Sequence, residues 1–586
     1  MMGTISDKLM RIINTKEDIR QALISKGYDV PTSIPFKEYA KMISDLPCRV
    51  DSFPDIEGIV ARYSALGLTN EQMAENPVWK DLIGNGHDLQ LKNFAWGGMS
   101  GVGGYTENYN SNKWYKVKSG IDVTWTYKSF NARSIKDNRS AQLFYQSSLS
   151  DTGFRVLSCT IKVSGLTDGQ GIEYVSNGTR PTAIMRIEND GIYHLPSFDF
   201  GAKNAYYGFR FLKLQESCNI TIEQLPLYPG ALVFDGVDDY GVCDNFPILT
   251  KEKGYTVVVL RQWDQDFLNT TLTGGLLSTR NYSTGEGVAF EKIESSNKGY
   301  WNLGAGGIID FAKSPFTWQT SKQYNNVGIL KGDKNHGKPL CVGCGLSGGQ
   351  QCGRFAIWEL VFLDHDATEE ELTKIKDYFV KTYPWLFPDQ AWTVVGKTNE
   401  DEDRATIANI TGNGNNLVLS NFGFSEGSGY NEEGEYAGYL VTDGVDDKII
   451  SSIFKMGNDW TVIGDWELIN TGKNDNAGIV KFDSIVIYNY NYNSMLINIK
   501  NGRNILIPDQ NTVNAICSDG RIYSKDWKES IYNEETESTS KNFLTIGYSG
   551  NAYTKIAFKN LAIYPTVLSR EDCIKAYNYL QTLKAK

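Results

Sequence analysis

Leu232-Val-Phe-Asp-Gly-Val-Asp-Asp239 returns two hundred residues later as Leu440-Val-Thr-Asp-Gly-Val-Asp-Asp447, and this repeat decides how the chain is read. Three apolar or β-branched positions run into Asp-Gly and Asp-Asp, the composition of a strand entering a tight turn. A match of that length within one polypeptide signals a duplicated domain. Working outward, Gly84-Asn85-Gly86 followed by Leu89, Leu91, Asn93 and Phe94 returns as Gly412-Asn413-Gly414 followed by Leu417, Leu419, Asn421 and Phe422. That pair is offset by 328 positions and the Asp-Gly-Val-Asp-Asp pair by 208, so the first copy holds 120 residues that the second lacks.

Beyond the aspartates each copy has a β-branched run, at 255–260 and 460–463, as strands prefer. Each then closes with an apolar strand and a helix. In the first copy 355–363 leads into Thr368-Glu-Glu-Glu371, which reads as a capping box opening a helix with Leu372, Ile375 and Phe379 inward. In the second, 556–564 precedes Ser569-Arg-Glu-Asp572 and a helix expected to bury Ile574, Tyr577 and Leu580. The inserted segment has strand composition at 157–163, a turn-rich stretch at 166–171, an Asp-Gly hairpin signal at Asn189-Asp-Gly-Ile-Tyr193, and a last strand Cys218-Asn-Ile-Thr-Ile-Glu-Gln-Leu225. It reads as a β domain placed in a sandwich loop, where insertions are tolerated.

The first fifty residues differ in kind. Ile5, Leu9, Ile12 and Ile13 share one helical face; a second helix carries Ile19, Leu23 and Ile24 and stops at Gly27; Pro35 opens a third with Phe36, Tyr39, Met42, Ile43 and Leu46. So short a stretch buries too little surface to stand alone. It is either a cap on the first β domain or, the favoured reading, an assembly or docking element joined through a linker at 47–54.

The expected plan is therefore mainly β: residues 1–50 an α-helical anchoring or oligomerisation segment, 55–104 plus 230–386 a first β-sandwich, 105–229 an inserted β-sandwich, and 390–586 a second sandwich. At 586 residues the chain is too long for one core, and the 57 glycines fit many turns. The net charge of −11 and the absence of a Lys/Arg block argue against a nucleic-acid partner. No stretch reaches the roughly 18 apolar residues of a membrane span, and no secretion signal is expected at the start of the chain. Nine scattered cysteines fit synthesis in a reducing cytoplasm.

The paired sandwich pattern resembles the laminin-G/concanavalin-like lectin fold, twice. The opening Thr15-Lys-Glu-Asp-Ile-Arg-Gln-Ala-Leu-Ile-Ser-Lys-Gly27, with Pro35-Phe-Lys-Glu-Tyr-Ala-Lys-Met-Ile43, resembles a segment that recurs in bacteriophage structural and fibre proteins, including those of Bacteroidales-infecting, crAss-like phages. The strand 218–225 followed by Asp-Gly-Val-Asp-Asp is similar to repeats in the same class. The resemblance implies a virion surface component, a head or tail fibre subunit made in the host cytoplasm. It implies other virion proteins, capsid or tail, as partners through the N-terminal helices, a homo-oligomer such as a trimer or dimer, and host surface polysaccharide as a further partner, with no membrane. A virion-borne polysaccharide depolymerase and a purely structural connector are the competing classes.

No catalytic residue and no cofactor is expected. A retaining glycosidase on such a sandwich would need a Glu-x-Asp-x-x-Glu strand, and the nearest start, Glu188-Asn-Asp190, meets Tyr193 at the wrong place. None of His87, His194, His336 and His365 lies in a nucleophile or metal motif. Cys341-Val-Gly-Cys344 with Cys352 and His336 has the ligand count of a zinc site, but positions three apart on an extended strand face opposite ways, and the second copy has Thr545 and Tyr548 there. Reduced thiols are the favoured reading. The aspartates Asp235, Asp238, Asp239, Asp443, Asp446 and Asp447 could ligate calcium or simply build tight turns, and the turn is favoured, so no metal is assigned. Trp96, Tyr105, Tyr109, Trp114, Tyr430, Tyr436, Tyr488, Tyr490 and Tyr492 stand in polar, Gly-rich stretches and are expected to be exposed; they suit sugar rings or ordinary packing, and no glycan-binding residue is assigned.

Overall fold

The computed structural model describes Lys16, Arg20 and residues 53–585 apart from short segments, the longest being 147–154, 280–288, 311–326, 332–339, 470–477 and 532–543. The three helices expected in the first fifty residues lie outside the described residues, save that Lys16 and Arg20 are helical. The architecture is mostly β, with several sandwich-like sheets. Contacts divide the chain into a small unit, Met1–Glu57 with Thr368–Pro384, and a large one, Gly58–Ala367 with Trp385–Lys586. In the small unit the helix Glu369–Thr382 has the expected capping box and buries Leu372, Ile375, Tyr378 and Phe379, with Phe53 edge-on to Tyr378.

Among the described residues the large unit holds three large hydrophobic cores. The first lies between a six-stranded and a ten-stranded sheet and includes Tyr63, Trp79, Phe234, Val257, Val259 and Phe362. The second lies between two eight-stranded sheets and includes Trp392, Leu440, Trp466 and Phe558. Their central strands correspond. Leu232–Asp235 pairs with Arg354–Leu363 as Leu440–Val441 pairs with Ile556–Tyr564, and Thr256–Trp263 and Thr461–Leu468 lie on the other side of those same central strands. Both central strands are almost wholly buried, which explains their continuous apolar sequence rather than an alternating one.

Side-chain bonds repeat with the strands. Thr256 Oγ1 donates to the His365 carbonyl at 3.0 Å and accepts the Ala367 N–H at 2.9 Å. Thr461 Oγ1 does the same with Thr566 and Leu568, both at 2.9 Å. A hydroxyl at the start of the strand thus satisfies the chain that leads away from the sandwich toward the closing helix.

The third core belongs to the insertion, in which two five-stranded sheets enclose Tyr109, Trp114, Phe130, Ile161, Tyr174 and Phe209. Its entry and exit are tied together: Gln224 Oε1 accepts from Thr106 Oγ1 at 3.1 Å and from the Glu107 N–H at 3.0 Å, while its amide donates to the Glu107 carbonyl at 3.0 Å. The Asp190-Gly191 hairpin does not form. Pro181–Ile187 and Gly191–Leu195 belong to opposite sheets, so the dipeptide crosses between layers. The Asp190 carboxylate instead accepts the N–H groups of Gly165 and Leu166, at 2.9 and 2.8 Å.

The helix Arg570–Leu580 is where the three domains of the large unit meet. Tyr577 stands edge-on to His194 of the insertion, with ring centroids 5.9 Å apart, and Tyr579 to Trp358 of the first sandwich at 6.0 Å. Gln262 also reaches Thr582 at 3.4 Å, and Lys584 pairs with Asp266. Enclosure from several sides buries Cys573, Ala576, Tyr577, Asn578, Tyr579 and Leu580, and leaves Ile574 only half-buried, contrary to the single apolar stripe expected.

Candidate functional site

The duplicated turns are the most ordered polar feature shared by the two sandwiches. In the first, Asp235 Oδ1 accepts the Val237 N–H at 2.7 Å, an Asx turn that places Gly236 at φ +77°. A Cβ on Gly236 would sit 2.8 Å from that of Arg354, so both the turn and the neighbouring strand require glycine. Asp239 closes the turn: Oδ2 accepts the Asp235 N–H at 3.0 Å and Oδ1 accepts the Ser100 hydroxyl at 3.0 Å. Asn93, itself at φ +67°, donates its amide to the Asp238 carbonyl at 3.0 Å.

The second sandwich repeats each bond. Asp443 Oδ1 accepts from Val445 at 2.7 Å, Asp447 Oδ2 from Asp443 at 2.7 Å and Oδ1 from Ser428 at 3.1 Å, and Asn421 at φ +69° donates to the Asp446 carbonyl at 2.9 Å. Ser100 and Ser428 share the 328-residue offset of the two asparagines. The network therefore joins the two repeated blocks, whose serine and aspartate lie 139 positions apart in the first copy and 19 in the second.

Within each turn the three carboxylates place an oxygen of each within 4.8 Å of one another, a spacing that would admit a hard cation. Asp239 and Asp447 are fully buried, and that burial, with the neighbouring Asp235 or Asp443 carboxylate adding to it, pushes their pKa values up to about 7 and about 6. The first and last acids of each turn are engaged by backbone N–H and hydroxyl donors. The geometry accounts for these acids as turn builders. At the tips, Val237 and Val445 are 73% and 70% exposed beside the exposed side chains of Asp238 and Asp446, so each sandwich offers the same small apolar and acidic knob.

Behind the first turn lies a cluster of Cys341, Cys344 and Cys352. Cys341 and Cys344 are joined in a disulfide, not held as reduced thiols. The expectation of opposite faces fails because Gly343, at φ +97°, breaks the strand between Leu340–Val342 and Cys344–Leu346 and turns the second cysteine back toward the first. Gly547 at φ +74° makes the matching break in the second copy, where Thr545 is buried. Cys352 lies directly across the ladder from Cys344, and His336 is outside the described residues.

The aromatic residues expected on the surface are largely inside. Tyr105, Tyr109, Trp114 and Tyr430 are buried; Tyr109 and Trp114 stand edge-on to one another inside the core of the insertion. Trp96 and Tyr436 are half-buried; Tyr488 and Tyr490 lie in the strand Ile485–Tyr490, and Tyr492 is outside the described residues. Trp96 at φ +51° stacks on Phe94, and its counterpart Phe424 at φ +49° stacks on Tyr430 beneath the Arg404 guanidinium. Both rings plug the sandwich end. A shallow cleft in the second sandwich, lined by Asn415, Asn416, Val418, Ser420, Ile450 and Ser452, contains no aromatic side chain.

Sequence reasoning missed the loop organisers. Asp81 accepts the N–H groups of Ile83 at 3.0 Å and Asn85 at 3.1 Å, ordering the Gly84-Asn85-Gly86 loop. Asn409, 328 positions on, accepts from Thr411 N at 3.0 Å and the Ala391 N–H at 3.3 Å. The three-residue spacing to the first glycine was the available signal, hidden by the Asp-to-Asn exchange.

No protein-family model and no curated protein matches the chain. Among solved structures it is similar to Trypanosoma rangeli sialidase in complex with sialic acid, at 7% identity and a TM-score of 0.25, over 81% of this chain and 85% of that one. It is also similar to the botulinum neurotoxin serotype D binding domain, at 12% identity and a TM-score of 0.23, over 59% of this chain and 89% of that one. The type G receptor-binding domain gives 11% identity and a TM-score of 0.21 over 32% of this chain and 50% of that one. These β-rich likenesses concern the fold alone.

Proposed function

We propose that the chain is a non-enzymatic surface fibre subunit of a bacteriophage virion, of the head or the tail. Its N-terminal segment attaches to the particle or to sister chains, and its sandwiches project toward host surface polysaccharide or neighbouring fibre proteins. The observation that carries this reading is the fate of the acids in the repeat. In both copies the first and last aspartates hold the turn backbone, and what the two copies share is a scaffold presenting an exposed knob. The phage assignment itself rests on the resemblance of the N-terminal segment and of the strand before the first turn.

The test is incubation of the full chain with purified capsular polysaccharide of the host, followed by co-sedimentation and reducing-end assay. Binding without new reducing ends is expected. New reducing ends would overturn the non-enzymatic reading, and neither binding nor cleavage would leave the connector that touches only virion proteins.

A further inference from the structure

Three sulfurs meet behind the turn of the first sandwich. Cys341 and Cys344 form the disulfide and Cys352 keeps its thiol, yet all three lie in one buried cluster with Tyr240 packed against it. Cys344 and Cys352 stand directly opposite one another in the antiparallel ladder between Cys344–Leu346 and Gln350–Cys352. One step along, the Gly353 N–H donates to the Gly343 carbonyl at 3.0 Å, which makes Gly343 and Gly353 a hydrogen-bonded pair and Cys344 and Cys352 a non-hydrogen-bonded one. Opposed residues of that kind have Cα atoms roughly 4.5 Å apart and side chains on one face, a spacing that a disulfide can bridge.

The second sandwich builds the same ladder without sulfur. The Thr554 N–H donates to the Gly547 carbonyl at 2.9 Å, and the opposed pair beside it is Tyr548 and Tyr553. Thr545 stands three positions before Tyr548, as Cys341 stands before Cys344. The fold thus sets two side chains face to face at this pair but does not need them to be thiols. Around the first pair glycines bring backbones together: a Cβ on Gly275 would collide with the Gly345 nitrogen, and one on Gly353 would lie 2.8 Å from the Gly275 carbonyl oxygen. That close approach presses Cys344–Leu346 and Gln350–Cys352 onto the strand Gly274–Ser278 and keeps the three sulfurs together.

We propose that Cys344 is shared between two alternative disulfides, one with Cys341 and one with Cys352, which interchange by thiol–disulfide exchange. The Cys352 thiolate attacks the Cys344 sulfur, the Cys341–Cys344 bond breaks, and Cys341 leaves as a thiolate that takes up the proton Cys352 gave up. One disulfide and one thiol stand on each side, so no oxidant or reductant is consumed. Burial, and after it Asp235, Asp238 and Asp239, pushes the Cys352 thiol up to about 12, so exchange is slow near neutrality and faster in base. The two bonds tie down different strands. Cys341 belongs to Leu340–Val342 and pairs there with Val242 of Tyr240–Cys243, the strand that leaves the turn. Its bond to Cys344 holds that layer to Cys344–Leu346. The bond to Cys352 instead joins Cys344–Leu346 to Gln350–Cys352 and releases the strands beneath the turn. The exposed knob of the first sandwich thereby gains a switch that the second lacks.

The full chain is held folded in base, as circular dichroism confirms, then quenched in acid, alkylated with a maleimide in acidic denaturant and digested with trypsin. All three cysteines fall in one tryptic peptide ending at Arg354, so the position of a single label, read by fragmentation, reports which bond is present. The label is expected on Cys352 at first and, with time, on Cys341 as well, about tenfold faster at about pH 9 than at about pH 8 because the thiolate is the nucleophile. Cys341→Ser, or Cys341→Ala should the serine variant not fold, is expected to link Cys344 to Cys352 under mild oxidation with diamide. Label confined to Cys352 in base, label on Cys344, or label on all three thiols would each overturn the proposal. So would a Cys341 variant whose two remaining thiols stay unlinked.

Discussion

Replacing Asp239 by asparagine separates an acid that builds a turn from one that holds a cation. The carboxylate is fully buried and accepts two hydrogen bonds, from Asp235 N–H and Ser100 Oγ, each at 3.0 Å. Burial, followed by the Asp235 charge, pushes its pKa up to about 7, against about 3.9 in an unfolded chain. Between about pH 4 and pH 7 the folded state therefore binds more protons than the unfolded one, so this group's contribution to stability falls as pH rises and levels off above pH 7. At 1.36 kcal/mol per pH unit the effect is capped at about 4 kcal/mol, and solvent relaxation around a turn leaves about 1–2 kcal/mol. Asparagine keeps an acceptor for the Asp235 N–H, lets the Ser100 hydroxyl rotate to accept from its amide, and removes the buried charge. Asp239→Asn is expected to match the parent near pH 5 and to exceed it by about 1–2 kcal/mol at pH 8, whereas Asp239→Ala, which strands the donors, costs about 2–3 kcal/mol near pH 5 and about 1 kcal/mol at pH 8, where the parent carries the buried charge. Urea unfolding of the full chain, followed by tryptophan fluorescence at each pH with calcium or EDTA, reads all three. Asparagine as damaging as alanine at pH 8, or a parent midpoint that moves with calcium, would show that Asp239 is not a turn builder alone.

Asn93→Ala and Asn421→Ala each lose an amide bond and place a Cβ residue without that bond at positive φ, so each is expected to cost about 1–2 kcal/mol, with the glycine variants costing less; matched urea titrations would show whether the two copies respond alike. Thr256→Val and Thr461→Val remove the hydroxyl that satisfies a buried N–H before the closing helix, for an expected loss of about 1.5–3 kcal/mol that serine largely restores; thermal melts of the four variants check it.

The β class and the duplication were legible because strand periodicity and Asp-Gly turns are local signals, and two copies with the same spacing reinforce one another. What failed depended on tertiary context. An Asp-Gly pair can close a hairpin or cross between sheets, and only the partners of Pro181–Ile187 and Gly191–Leu195 decide which. The alternation rule assigned Cys341 and Cys344 to opposite faces, but it presumes an unbroken strand, and Gly343 breaks it. Polar, turn-rich surroundings suggested exposed rings at Tyr109 and Tyr430, whereas both rings pack into hydrophobic cores built by strands distant in sequence.

The proposed fibre role would put these sandwiches on the outside of a virus particle. Immunogold electron microscopy of intact virions, with antibody to residues 390–586 and with or without host capsular polysaccharide, tests it directly. Gold on fibres, displaced by polysaccharide, is the predicted result; particles that carry the chain nowhere would contradict it.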